Sequence, residues 1–548
     1  MQERVKILQI SGMEKVFADT DYNEKKEIDS LTVLKGERIS YQILYTRLDN
    51  GENQELKVSA SCDPRIRIQL RDVKLAPAYA VFKGIEHDDF FERKTAGLYP
   101  DVLEPNKGTI KCSECTHALY VTCNTPENID AGVYEISLNF TNGEITEAKT
   151  MKLSVINCVL PEQNLIYTQW FHADCIADYY NMDVFSEEHW NMIDKFVKTA
   201  VNTGITMILT PVFTPPLDTA VGGRRTTVQL VDVSYFDGKY TFGFDKLKRW
   251  IDMCKKNGIK QFEISHLFTQ WGSGNAPLII VKTKDGHEEK FGWQTDAIGE
   301  EYSEFLGYFL VELIEFLKNE NVYDDSYFHV SDEPNYEKDY AVYSSEYAII
   351  NKYVPSEKII DAMGDHNFVR EGFAKNPVVV TDRIYGFLEK GIDVDWAYYC
   401  CCPAKEYYSN RLLGMSLGRT RIMGFQLYKY DIKGFLHWGY NFYNSRYSKR
   451  KINPFMITDA DEEFPAGDSF SVYPGEDGAY ESLRSEAFYM GLQDIRACKA
   501  LELATGREET IKIIEETGEL TLTKYPYSNE GITAIRDRIN KKLAEIYG

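Results

Sequence analysis

Residues Tyr327 to Pro334 read Tyr-Phe-His-Val-Ser-Asp-Glu-Pro, an apolar run that ends on two adjacent carboxylates and a proline. Side chains at the tip of a strand are held more rigidly than side chains on a loop. Two neighbouring carboxylates do not both ionise easily, so one of Asp332 and Glu333 is expected to keep its proton toward neutral pH and serve as an acid. Pro334 is expected to hold Glu333 in extended backbone. The competing reading is a strand-to-helix turn in which one of these acids only caps the following helix. Position in the fold has to decide between the two.

From about Leu165 the chain alternates strand, loop and helix. Strands are expected near Tyr167–Phe171, Met207–Val212, Phe262–His266, Tyr327–Ser331, Ile359–Ala362, Val378–Thr381, Trp396–Cys401 and Phe435–Tyr440. The clearest helices fall at Glu187–Asn202, Phe244–Lys256 and Ile298–Lys318, and a hairpin (Thr227–Val233, Tyr240–Phe242) follows the second strand. Eight strands in this rhythm predict a (β/α)8 barrel of the TIM type, whose chemistry sits at the C-terminal ends of its strands. Asp332 and Glu333 lie at the end of the fourth, which favours an active site over a cap.

Other predicted strand ends carry polar groups and rings. The first ends on His172 and Asp174, the third on His266 and Trp271, the sixth on Asp382, the seventh passes Tyr398 and Tyr399, and the eighth carries Trp438, Tyr440 and Asn441. Taken singly, each could be a core aromatic or a hydrogen-bonded structural residue. Together they describe a mouth suited to a sugar: rings pack on the apolar C–H face and neutral donors meet hydroxyls. His172, Asp174, His266, Trp271, Asp382, Tyr399, Trp438, Tyr440 and Asn441 are therefore the candidate substrate contacts. The loop Gly222-Gly223-Arg224-Arg225 is too short for a phosphate loop and is expected at the mouth.

No cofactor or metal is called for. His172-x-Asp174 faintly resembles the start of a barrel metallohydrolase site, but the fifth and sixth strands do not end in the histidines such a site needs. Cys112-x-x-Cys115-x-His117 with Cys123 has plausible zinc spacing, yet it falls on a segment that reads as strand, where buried thiols are the simpler account.

The other elements frame this barrel. Residues 1–160 hold short alternating segments such as Ile39–Tyr45, Val133–Phe140 and Lys152–Ile156, the pattern of an antiparallel β-sandwich. The expected division is a sandwich over 1–160, a catalytic barrel over 161–480, and a helical segment over 481–548 packed on the barrel, with helices at Ser482–Leu503 and Ile532–Tyr547. The sandwich is expected to buttress the barrel. At 548 residues, 43% hydrophobic and 13% aromatic, the chain can bury more than one core. With 62 Lys and Arg against 84 Asp and Glu the net charge is −22, which argues against nucleic acid or an anionic membrane as partner. Met1-Gln-Glu-Arg-Val-Lys opens no apolar leader, and no stretch approaches membrane-spanning length, so a cytoplasmic protein is expected. An odd count of 11 cysteines, with Cys400, Cys401 and Cys402 in a row, suits reduced thiols.

With these pieces placed, nearly the whole chain resembles glycoside hydrolase family 123 and the glycosidase-like group related to it. The resemblance rests on Ser331-Asp-Glu-Pro334 closing the fourth strand, followed by Gly434-Phe-Leu-His-Trp-Gly-Tyr-Asn441, Gly467-Asp-Ser-Phe-Ser-Val-Tyr-Pro-Gly475 and Ser482-Leu-Arg-Ser-Glu-Ala-Phe488. It implies a retaining β-N-acetylgalactosaminidase acting by substrate-assisted catalysis, an exception to the two-carboxylate scheme. Asp332 would orient the 2-acetamido group and stabilise the oxazoline-like intermediate, and Glu333 would serve as acid and then base. The expected partner is thus a glycoside or oligosaccharide. Two alternatives stand beside it. One is a glycosidase with separated carboxylates, Glu333 working with Asp174, Glu263 or Asp382. The other is a barrel that binds carbohydrate without catalysis. The substrate-assisted reading makes one geometric demand: adjacent residues of a regular strand face opposite ways, so the tip must bend for both acids to share a pocket.

Overall fold

The computed structural model describes residues 4–49, 51–271 and 274–548; Met1–Glu3, at the start of the segment read for a leader, lie outside them. The N-terminal part is two sheets face to face. One has seven strands: Val5–Ser11, Arg38–Arg47, His117–Asn124, Arg67–Ala78, Gly97–Pro105, Gly478–Ser482 and Tyr473–Gly475 in spatial order. The other has five: Ser30–Lys35, Thr146–Val159, Gly132–Thr141, Gln54–Ser61 and Thr109–Cys112. Pairing is antiparallel except between Ser30–Lys35 and Thr146–Val159. Alternate residues turn inward, so Tyr41, Ile43, Leu119 and Val121 of one sheet meet Leu56, Leu138, Phe140 and Leu153 of the other. Cys112 and Cys123 belong to this core and burial pushes both thiols up to about 12; Cys115 is exposed and His117 bonds Ser113 at 2.7 Å.

The C-terminal part is a curled parallel sheet of eight short strands: β1 (Ile166–Gln169), β2 (Met207–Thr210), β3 (Gln261–Ile264), β4 (Ser326–Phe328), β5 (Ala362–Met363), β6 (Val378–Val380), β7 (Trp396–Tyr398) and β8 (Gly434–His437). Their spatial order is β4-β3-β2-β1-β8-β7-β6-β5, and a parallel bridge from Phe328 to Ile359 brings the two ends of the sheet together. Inward side chains form one cluster: Met207 and Leu209, Tyr327, Ile360 and Ala362, Val378, Trp396 and Tyr398, Leu436 and Trp438. Outward side chains meet the helices. Helix α1 (Glu187–Asn202) starts at Ser186, whose hydroxyl accepts from the His189 N–H, and buries Trp190, Ile193, Phe196, Val197 and Ala200 on one stripe. Helices α2 (Asp245–Asn257), α3 (Glu300–Asn319) and α4 (Tyr336–Asn351) follow β2, β3 and β4. After β5 and β6 the helices shrink to Asn367–Arg370 and Ile384–Leu388, so the even ring of eight helices expected from the sequence is not drawn out on that side.

The hairpin after β2 falls at Asp232–Phe236 and Lys239–Gly243, and it joins a second hairpin, Ile279–Thr283 with Gly286–Phe291, in a four-stranded sheet. The stretch read as irregular up to 478 contains Tyr473–Gly475, and Gly478–Ser482 pairs with Val102 and Leu103 of the N-terminal sheet. From there α5 (Leu483–Thr505) and α6 (Asn529–Tyr547) close the chain. Buried ion pairs fasten both ends of the sequence to each other: Arg484–Asp101 at 2.9 Å, Arg71–Glu486 at 2.7 Å and Arg536–Glu37 at 2.7 Å.

Candidate active site

Beyond Phe328 the chain continues past β4 without regular pairing, and the hydrogen bonds say where it turns. Val330 still joins the loop after β3, its carbonyl accepting from Phe268 N–H at 3.1 Å. The Asp332 carbonyl accepts from Trp271 N–H at 3.0 Å on that side, whereas the Glu333 N–H donates to Ala362 O at 3.1 Å on the β5 side. Successive peptide groups are thus pulled toward opposite neighbours, and Glu333 takes φ +47°. The expectation that Pro334 would keep Glu333 extended is corrected here: these two bonds hold it in the left-handed region, at the cost of local strain. The backbone at Glu333 is therefore not that of a regular strand, in which adjacent side chains alternate. The helix-cap reading falls as well, because Asn335 caps α4, its Oδ1 accepting from Lys338 N–H at 3.1 Å.

Glu333 is open to solvent yet hemmed in by protein, and its Oε1 accepts from the Tyr398 hydroxyl at 2.6 Å. Asp332 is half-buried. Both carboxyls are pushed up, chiefly by desolvation: Asp332 well above its usual range, with the Glu333 charge adding to the effect, and Glu333 to a degree limited by the Tyr398 hydrogen bond. Beneath Asp332 lies a buried imidazolium. His329 donates from Nε2 to Glu263 at 2.5 Å and from Nδ1 to Asp361 at 3.1 Å. Burial alone would lower its pKa, but the two carboxylates override it and raise the group to about 9. The positive ring opposes the rise at Asp332. His266 stacks on it, ring centroids 4.2 Å apart, and is held neutral by burial and by that charge.

The mouth carries rings and further acids. Trp271 is 46% exposed and meets Tyr447 edge-on at 5.5 Å. Trp438 is half-buried against Phe442 and Phe464, and its Nε1 donates to Asp468 at 3.1 Å. A Cβ at Gly439 would sit on the Ser469 carbonyl oxygen, so glycine is what lets the 468–469 backbone reach Trp438. Burial raises Asp468 to about 8 and Asp218 to about 6; Asp218 accepts from the Tyr447 N–H at 2.9 Å. The charge of Asp218 adds to the rise at both Asp332 and Asp468. Asp382 is half-buried beside Arg383 and, mainly through desolvation, also raised.

Of the residues singled out in the sequence, Asp332, Glu333, Trp271, Trp438 and Asp382 keep exposed or half-buried side chains beyond the C-terminal ends of their strands, whereas His266 is buried against His329 and its expected substrate contact is corrected. Five others are turned into the protein, and their expected substrate contact is corrected accordingly. Asp174 is bound at both oxygens by Arg225 at 2.8 Å, and His172 accepts from the same guanidinium at 2.9 Å. Asn441 bonds the His172 backbone in both directions, Tyr440 donates to Phe196 O at 3.0 Å, and Tyr399 is buried against Phe435 and His437. Arg225 is likewise turned inward, its side chain 2% exposed; the stretch 222–225 lines a cavity of ≈ 420 Å³ with Trp293. A larger cavity, ≈ 1220 Å³, lies between the N-terminal sheets and α5–α6 and is lined by none of Asp332, Glu333, Asp218, Asp382 and Asp468.

Asp468, Asp218, Tyr398 and Tyr447 were not on the expected list of site residues. Tyr398 could have been found by parity, since Trp396 and Tyr398 share the inward face that excludes Tyr399. Asp468 stood in the Gly467–Gly475 motif without a strand to place it. Asp218 and Tyr447, both at positive φ in loops, left no periodic signal.

Two expected outcomes follow from these contacts. Tyr398→Phe removes the hydrogen bond that favours ionised Glu333, so the alkaline limb of the kcat/KM profile moves upward. Activity falls about ten- to a hundredfold, the scale of a hydrogen bond of ~1.5–3 kcal/mol to a charged group. An unmoved limb would count against Glu333 as the titrating acid. Arg225→Met leaves the Asp174 carboxylate buried without its partner, since both side chains are 2% exposed. Denaturant unfolding should show a loss of about 3–5 kcal/mol, and Arg225→Met/Asp174→Asn should recover much of it.

Comparison with known proteins decides the class of the chain. The profile described as "Glycoside hydrolase 123, catalytic domain" matches residues 170–501, more than half of the chain and the whole of β2 to β8. The chain belongs to glycoside hydrolase family 123. A solved family 123 glycoside hydrolase from Clostridium perfringens, described in work on glycolipid glycan hydrolysis, is similar over 99% of this chain and 99% of its own, at 17% identity and a TM-score of 0.72. At that identity it speaks for the shared fold alone. A Parabacteroides merdae β-glucuronidase (10% identity, 90% of this chain, 52% of its own, TM-score 0.31) and a Thermotoga petrophila endo-β-1,4-mannanase (12%, 61%, 77%, 0.35) are too distant to carry an argument. No curated protein sequence matches the chain. As a family 123 member the protein is a glycosidase, and among the described residues no helix is long and apolar enough to cross a membrane.

Proposed function

We propose that this glycosidase removes a terminal β-linked N-acetylhexosamine, N-acetylgalactosamine by preference, with retention and with the substrate's own 2-acetamido group as nucleophile. The observation that carries the reading is the bend at Glu333: it lets adjacent acids serve one pocket, and a mechanism without a protein nucleophile needs only such a pair. Asp332 accepts the acetamide N–H and steadies the positive charge that develops as the carbonyl oxygen attacks the anomeric carbon. Glu333 protonates the departing oxygen and later deprotonates water. Desolvation raises both acids, so a proton can be kept toward neutral pH. A substrate N–H donating to Asp332 favours its ionised form, which leaves the proton on Glu333, where the aglycone needs it.

The separated-carboxylate alternative loses two of its three partners, since Asp174 is held by Arg225 and Glu263 by Thr168, Trp170 and His329. A panel of aryl β-N-acetylgalactosaminide, β-N-acetylglucosaminide and β-galactoside tests the proposal. Cleavage confined to the 2-acetamido sugars supports it; comparable cleavage of the galactoside would remove it. The architecture that goes with this reading is a complete (β/α)8 barrel over 161–480, closed at the Phe328–Ile359 bridge, between a sandwich over 1–160 and a helical segment over 481–548.

A further inference from the structure

Immediately beyond β7, whose last residue holds Glu333, three thiols are crowded together. The Sγ atoms of Cys400, Cys401 and Cys402 all lie within 4.8 Å of one another, and those of Cys400 and Cys401 are 3.9 Å apart. The backbone enforces this: Cys400 N–H donates to Cys402 O at 3.0 Å, closing a tight turn, and the Asn410 amide donates to both Cys400 O and Pro403 O at 3.0 Å. Cys402 is exposed and the other two half-buried, so the group is reachable from solvent. Two thiolates on one zinc-sized ion, with bonds of about 2.3 Å at the tetrahedral angle, have their sulfurs about 3.8 Å apart. The Cys400–Cys401 spacing already meets that figure. Soft sulfur donors select zinc and other thiophilic ions over magnesium or calcium. Among the described residues this is the one group of three His, Cys, Asp or Glu side chains close enough to share an ion.

We propose that Cys400, Cys401 and Cys402 form a binding site for a thiophilic metal ion of the zinc class, and that its occupancy inhibits hydrolysis. Each coordinating thiol gives up one proton, so binding one divalent ion to three thiols releases three protons and leaves a fourth coordination position for water or another donor. The inhibition follows from connectivity. Drawing three sulfurs around one ion tightens the 400–402 turn, and Tyr398, two residues before it, is the group that positions Glu333 at 2.6 Å. The inhibitory half rests on Glu333 working as proposed above; the binding half does not.

The test uses the full chain, reduced and freed of metal. Titration with cobalt(II) should give, at one equivalent, the thiolate-to-metal charge-transfer band and the visible bands of a tetrahedral thiolate site, and zinc should displace them. Cys401→Ser/Cys402→Ser should abolish both. Zinc at saturation should lower hydrolysis of the aryl substrate at least tenfold, reversibly on chelation, while the double variant keeps its metal-free rate when zinc is added. A missing thiolate spectrum, or one that persists in the double variant, would overturn the site. Zinc bound at these thiols with an unchanged rate would overturn the inhibition. Metal-free protein that cleaves no aryl glycoside would instead tell against the proposed function, and the cobalt spectrum would still judge the site.

Discussion

Glu333→Gln is expected to lower kcat on an aryl β-N-acetylgalactosaminide by about 10²–10⁴-fold, the range of a positioned general acid–base group. The size of the loss should depend on the leaving group. A poorly acidic aglycone cannot depart without a proton, so its release suffers fully. A dinitrophenol departs as the anion, so the first step is nearly spared and the defect shifts to hydrolysis of the intermediate, seen as a burst of phenol. The variant should also lose the alkaline limb of the pH profile. In the wild type that limb should lie above the ordinary carboxylate range, because the protein crowded around Glu333 partly desolvates it, and activity should fall as pH passes through the raised value and the acid is lost. Thermal stability should change little, since the carboxyl is open to solvent and the amide can still accept from Tyr398. A uniform loss across leaving groups would point to a binding role instead.

The parts of the site that were legible in the sequence are those carried by regular strands. The acid pair, Trp271 and Trp438 follow short runs that read as strands, and α1 falls on the residues expected of it. Periodicity failed where loops govern. Whether Tyr398 or Tyr399 faces inward is a matter of parity, and one slip reverses it. Reading His172, Tyr440 and Asn441 as mouth residues overlooked the fact that chain leaving a barrel strand can fold back under its own loop. There backbone partners, invisible in the sequence, satisfy its polar groups. Asp218 reaches the site from a loop between two prolines and a positive-φ turn, and Asp468 from the far end of the chain; neither has a local pattern to announce it. The bend at Glu333 was a demand of the chemistry before it was an observation, and the direction of its backbone was misjudged because two long-range hydrogen bonds outweigh the local preference imposed by Pro334.

Asp332→Asn separates the two jobs. Here kcat should fall by about 10²–10³-fold, the scale of losing one preorganised charge-stabilising group, and the loss should be nearly the same for good and poor leaving groups. The reason lies in the timing of charge. In the proposed mechanism Asp332 faces the acetamido group, whose positive charge grows as its oxygen attacks and is discharged as water arrives, so both steps would need the carboxylate and neither would depend on aglycone basicity. KM should change less than kcat, because an asparagine side chain still offers an acceptor to the acetamide N–H. The pH profile should move opposite to that of Tyr398→Phe. Removing the carboxylate beside Glu333 removes a neighbour that resists its ionisation, so Glu333 gives up its proton at lower pH and the alkaline limb shifts downward. The buried imidazolium of His329, raised to about 9, would then face an uncharged amide in place of an acid. A nucleophile on the protein predicts otherwise: were Asp382 or Asp468 to attack the anomeric carbon, Asp332→Asn would leave β-galactoside and 2-acetamido substrates equally impaired. A selective collapse on the 2-acetamido sugar is the result that ties Asp332 to the substrate's own nucleophile.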